Sequence, residues 1–170
     1  IACARARRMS LRLEMLQVAR LAPKILGESA ELVREFLLSQ QNADGGFKDR
    51  TGRSDLYYTV FGLDSLIALQ AKSPSNQVAR YLENFGGGEG LDFVHLCCLA
   101  RCWAAMANQN SDSAPDCPPN VRDQIIRQLE AHRSNDGGYR PTLGSDFSTV
   151  YGCFLALGAY QDCGVGIPDP

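Results

Sequence analysis

The sequence predicts an all-α fold of stacked helical hairpins, a layered α/α solenoid or ring. Three observations carry that expectation. The stretch 36–69, FLLSQQNADGGFKDRTGRSDLYYTVFGLDSLIAL, is said again from residue 126 as IRQLEAHRSNDGGYRPTLGSDFSTVYGCFLAL. The glycine pairs Gly45-Gly46 and Gly137-Gly138 lie 92 positions apart, and half that distance lands on FGGGEGLDFVHLCCLARCWAAM, a degenerate middle copy. Within each copy an amphipathic run precedes Asp-Gly-Gly, or Gly-Gly-Gly in the middle copy, and a run apolar on most sides follows. A fixed period of tens of residues marks stacked supersecondary units that bury their apolar faces against one another.

In chain order, residues 9–27 read as a first helix, with a kink at Pro23 and an end at Gly27. Residues 28–70 form the first hairpin. Its outer helix carries Leu32, Val33, Phe36, Leu37 and Leu38 on one stripe, opposite Glu31, Arg34 and Glu35. The Asp-Gly-Gly glycines are expected at its C-terminus, where positive φ is needed. Ser54-Asp55 then caps a second helix whose Leu56, Tyr57, Tyr58, Val60, Phe61, Leu63, Leu66 and Ile67 mark it as the buried partner. After the turn 71–76, residues 77–107 form the second hairpin, with Asp92 capping its inner helix. The polar loop 108–120 leads to the third hairpin, 121–162, whose inner helix is expected to be capped by Ser145-Asp146. All 170 residues read as one α/α repeat domain. The last hairpin has an apolar lateral face, so the chain is expected to belong to a longer repeat protein or to pair with a second copy.

Composition limits the function classes. The apolar content is 45%, the charged content 21% and the net charge −2, which gives no electrostatic case for nucleic acid or an anionic membrane. No apolar run is long enough to span a bilayer. Seven cysteines, an odd count without an apolar leader, favour reduced thiols and a cytoplasmic setting.

Gln-x-x-Asp-Gly-Gly-Phe, a following Asp and an aromatic-rich helix resemble the repeat of the prenyltransferase and squalene-cyclase superfamily. GFKDRTGRSDLYYTVFGLDSL is most similar to β subunits of protein prenyltransferases, particularly the Rab geranylgeranyl type. The resemblance implies an α/α toroid of about six hairpins, of which this chain holds half. It also implies an aromatic inner cavity that binds an isoprenoid, as prenyl diphosphate or on a prenyl acceptor. Basic residues at the mouth would hold the diphosphate, and a zinc ion on Asp-x-Cys and His would activate a thiolate.

On that resemblance the substrate-binding candidates are Asp55, Tyr57, Tyr58, Phe61, His95, Asp146 and Tyr151, with Arg53 and Arg140 toward a diphosphate. No residue is assigned a catalytic role. The Asp-x-Cys thiol is missing, because the sequence reads Asp55-Leu56-Tyr57 and Asp146-Phe147-Ser148 there. Only Asp92-Phe93-Val94-His95 keeps a histidine. No metal or cofactor is therefore expected unless further residues supply ligands. Asp55, Asp92 and Asp146 recur at one phase and read most simply as helix N-caps. A scaffold of another class, binding a protein or peptide on the concave face without catalysis, fits the same residues.

Overall fold

The computed structural model of the chain describes residues 11–73, 75–107 and 117–168. These are mostly helical: α1 (Leu11–Ala19), α2 (Ala22–Leu26), α3 (Ser29–Ser39), α4 (Leu56–Ala68), α5 (Ser75–Glu83), α6 (Phe93–Ala107), α7 (Pro119–Ala131) and α8 (Val150–Asp162). Two short strands, β1 (Phe47–Lys48) and β2 (Ser54–Asp55), pair antiparallel between α3 and α4. Residues 9–10, most of the loop 108–120 and Cys3 lie outside the described residues. The single helix expected over 9–27 is interrupted. The chain turns at Arg20 and Leu21, and Pro23 sits in the first turn of α2, where its missing N–H costs nothing.

The helices that are apolar on most sides form the centre. α6 lies between α4 and α8 and packs along both, while α3 packs on α4 and α5 and α7 pack on α6. The amphipathic helices give this core one stripe each, Val78 and Leu82 from α5 and Ile125 and Leu129 from α7. α1 reaches α4 and α8 from the other side. Gly62 of α4 meets the Phe47 ring of the turn, whereas Asp64 meets Arg12 of α1. Two residues are about 200° apart on a helix, so the turns and α1 cover opposite faces.

The Asp-Gly-Gly motif does not end the helices as expected. α3 stops at Ser39 with Gln40 as its C-cap, and Gly45-Gly46 lies beyond it in a turn closed by a bridge between Gln41 and Phe47. Asn42 N–H donates to Gly46 O (2.8 Å), Gly45 N–H to Asn42 O (3.0 Å) and Gly46 N–H to Asp44 Oδ1 (3.0 Å). The third unit repeats each bond 92 positions on: Ser134 N–H to Gly138 O (2.9 Å), Gly137 N–H to Ser134 O (2.9 Å) and Gly138 N–H to Asp136 Oδ1 (3.2 Å). The aspartate side chain therefore closes an Asx-type turn rather than a helix end.

Past the turn the equivalence shifts to 94 positions, because the third loop is two residues longer. Ser54 Oγ donates to Asp44 Oδ1 (2.7 Å), and Ser148 Oγ to Asp136 Oδ2 (3.0 Å). Phe47 N–H donates to Thr59 Oγ1 (2.9 Å), and Tyr139 N–H to Cys153 Sγ (3.4 Å). Asp55 caps α4 by accepting from Tyr57 and Tyr58 N–H, but the cap of α8 is Thr149, which accepts from Gly152 N–H. Asp146 is not a cap. Its carboxylate accepts from Asn135 Nδ2 (2.8 Å) inside the loop.

The equivalent glycines give a stability test. Both have positive φ (100° at Gly45, 88° at Gly137), but a Cβ on Gly45 would sit 2.2 Å from Gln77 O, whereas one on Gly137 meets nothing within 4 Å. Gly137→Ala should cost about 1–2 kcal/mol from left-handed backbone strain. Gly45→Ala should cost about 1–3 kcal/mol more from the clash. Urea unfolding followed by the chain's one tryptophan, the buried Trp103, measures both.

Candidate functional site

The first part of the site follows from capping. Asp55 ends β2 and accepts from Tyr57 N–H (2.8 Å), and Asp92 accepts from His95 N–H (2.9 Å) at the start of α6. Because α4 and α6 pack side by side, these two carboxylates come within reach of one imidazole. His95 Nδ1 lies 2.8 Å from Asp92 Oδ2, and Nε2 lies 3.1 Å from Asp55 Oδ2. Burial of the ring works against its charge, but the hydrogen bonds and charges of Asp92 and Asp55 outweigh it, so the histidine titrates above its ordinary 6.5. For Asp92, burial acts to raise the pKa, yet bonds from His95 and the backbone hold it below the usual range. The imidazolium thus ties two helix caps together.

These residues do not fit the zinc that the resemblance implies. Both ring nitrogens face carboxylates, and Tyr57 occupies the position where a thiolate would stand. Among the described residues no group of three His, Cys, Asp or Glu side chains is placed to hold a metal ion.

Tyr57, Val94 and Tyr151 each stand two residues after their helix's cap, and so occupy one layer across the centre. Both tyrosines are about half exposed. Tyr57 packs edge-on against Tyr58 (5.9 Å) and Phe61 (5.0 Å). Burial pushes the Tyr151 phenol up, and the charges of Tyr57, Cys98 and Cys97 add to the shift. Burial also pushes the Cys98 thiol of α6 up to about 12, so that thiol is neutral.

A charged layer lies two turns further along. Asp64, Arg101 and Gly158 each stand nine residues after their caps. Arg12 of α1 bonds to Asp64 and donates to Arg101 O (3.3 Å), and its guanidinium lies 3.7 Å from Asp162. Arg101 Nε lies 3.7 Å from the other oxygen of Asp162, whose side chain is fully buried. A Cβ at residue 158 would come within 3.0 Å of the Arg101 guanidinium, so glycine makes room for it. Periodicity gives no hint of this cluster, because Arg12 precedes the repeat; the absence of side-chain bulk at Gly158 opposite Arg101 is the one sequence trace of it.

The structure therefore brings Asp55 to His95 and sets Tyr58 and Phe61 around Tyr57, with Tyr151 at the equivalent position of α8. Asp146, Arg53 and Arg140 are engaged in their own loops: Arg53 Nε donates to Thr51 Oγ1 (3.1 Å) and Arg140 to Phe147 O (3.4 Å). The six described cysteines are free thiols. No described helix is long and apolar enough to cross a membrane. No protein-family model matches the chain, and neither a curated protein nor a solved structure matches it.

Two measurements follow. Because the folded pKa of His95 is raised, its contribution is complete below about 6.5 and is lost as pH rises through the folded value. Wild type should lose thermal stability on going from pH 6 to 8 relative to His95→Gln, and parallel profiles would remove the linkage. Arg12→Met strips the buried Asp162 of one cation and should cost about 3 kcal/mol in urea unfolding.

Proposed function

We propose that this chain is a prenyltransferase-like repeat protein that binds the apolar chain of an isoprenoid along the face bearing Tyr57, Val94 and Tyr151. One observation carries the reading. Two half-exposed tyrosines stand at matching positions on α4 and α8, the helices that pack on either side of α6, and the charged layer held by Arg12 of α1 begins only two turns beyond them. Apolar surface left in water on a packed helical layer gains about 25 cal/mol per Å² when a chain covers it, and few polar groups are needed to orient such a ligand. Zinc-assisted transfer is not part of this reading, since the ligand set does not fit. A peptide-binding scaffold without catalysis is the second reading, favoured by the acidic rim of Asp55 and Asp92 where a diphosphate would be repelled.

Calorimetric titration with geranylgeranyl diphosphate, geranylgeraniol and a geranylgeranylated peptide separates these readings. Saturable binding near micromolar, weakened about tenfold by Tyr151→Ala, a loss of about 1.4 kcal/mol, supports isoprenoid binding. Binding of the alcohol as tightly as the diphosphate would show that the chain, not the headgroup, is held. No saturable binding of any of the three up to about 100 μM, a free energy of only about −5 kcal/mol, ends the isoprenoid reading.

A further inference from the structure

The repeat equivalences show which surface each hairpin gives to the next, and two such surfaces are bare. On α4, Leu56, Val60 and Leu63 are at most 5% exposed, and Leu56 O lies 3.9 Å from Cys102 Sγ of α6. At the same positions after the cap, Phe93, Cys97 and Ala100 of α6 are at most 2% exposed. The same positions of α8 are Val150, Phe154 and Leu157, which are 90%, 58% and 38% exposed. The turns behave alike. Gly45 and Gly46 are covered by Gln77 and Tyr81 of α5, Gly87 is covered by Gln124 of α7, and Gly137 meets nothing. The third unit thus presents a trailing edge of turn and helix stripe that is covered in the first two.

The first unit presents the complementary edge. Gln124 and Gln128 of α7 pack on the preceding turn, Gln128 Nε2 donating to Gly87 O (2.6 Å). Each lies one residue before a buried stripe residue, Ile125 or Leu129, as Gln77 and Tyr81 precede Val78 and Leu82. The turn register 92 positions apart makes Leu32 and Phe36 their counterparts on α3, and both are exposed. On α4, Phe61 stands where Cys98 and Leu155 are buried against a preceding helix, and it too is exposed.

We infer that the trailing edge of one chain (Val150, Phe154, Leu157 and the Gly137 turn) docks on the leading edge (Leu32, Phe36, Phe61) of a second copy. The chain carries both halves of a contact it already makes twice internally, so a second copy is the partner whose shape the repeat itself specifies. The contact is head-to-tail, and a two-fold pair makes it twice. The charge-free run Val150–Gln161 on α8 brings no like-charge repulsion to it. This inference is independent of the ligand reading, since association needs no ligand.

Light scattering coupled to size exclusion tests it on the full chain. Wild type should be a dimer at about 10 μM, a concentration that populates contacts tighter than about −7 kcal/mol. Val150→Asp and Phe36→Asp should each be monomeric with unchanged helical circular dichroism. Mixing the two variants should restore a dimer, because one wild-type trailing edge then meets one wild-type leading edge. If Phe36→Asp loses helical signal, Phe36→Ala takes its place and should weaken association at least tenfold. A monomeric wild type, association that survives both variants, or variants that fail to recombine would each overturn the inference.

Discussion

α6 presents small side chains on both flanks, where α4 and α8 pack against it. Cys97, Ala100 and Ala104 face one neighbour, while Cys98, Cys102 and Ala105 face the other, and all are buried. Opposite these small residues the bulk comes from Leu56, Val60 and Leu63 of α4 and from Leu155 and Tyr160 of α8, while Phe93, Leu96, Leu99, Trp103 and Met106 of α6 fill the core beside them. Interiors pack at close to crystal density, so a large residue at Cys102 would push α4 away rather than be absorbed. The geometry of the tyrosine-bearing face depends on this spacing. It sets the helices of Tyr57 and Tyr151 on either side of α6 and brings the caps of α4 and α6 near enough for one histidine to hold both.

The polar devices sit at the two ends of the same three helices. At the N-terminal ends of α4 and α6, carboxylates cap helix dipoles, and His95 neutralises the repulsion that two adjacent caps would create, while Thr149 caps α8. Toward the C-terminal ends, Arg12 and Arg101 surround the buried Asp162. Removing one member of such a buried cluster is costly even where the whole cluster adds little. Between the two ends the face is aromatic and uncharged. Register alone produces this division, because residues two and nine positions after each cap fall on the same side.

The helical class was legible because helix periodicity is a local signal. The site was legible only where register alone decides. Asp55 and His95 could be placed together from the repeat phase, since both lie just after β-type or loop segments of fixed length. Asp146 was misplaced because the third loop holds Ser145-Asp146 and Ser148-Thr149, and both can cap a helix. The turn hydrogen bonds of Asp136 to Ser148 resolve the ambiguity, and nothing local in the sequence does. β1 and β2 went unseen for the same reason: Asp49 gathers the N–H groups of Thr51 and Arg53 into a tight loop that draws two residues on each side into pairing. Arg12 was invisible because it belongs to no repeat.

Phe61 links the two surfaces of the molecule. It lies on the leading edge of α4, and its ring packs edge-on against Tyr57, one of the two half-exposed tyrosines. Covering Phe61 with a second copy would fix the ring against which Tyr57 rests, so less rotamer freedom would remain for a ligand to remove. By linkage, a ligand that orders Tyr57 would favour the associated state by the same factor. Such coupling would pass through a single aromatic pair 5.0 Å apart. Phe61→Leu would weaken that edge contact while keeping an apolar side chain at the leading edge, so association and ligand binding should come apart in that variant.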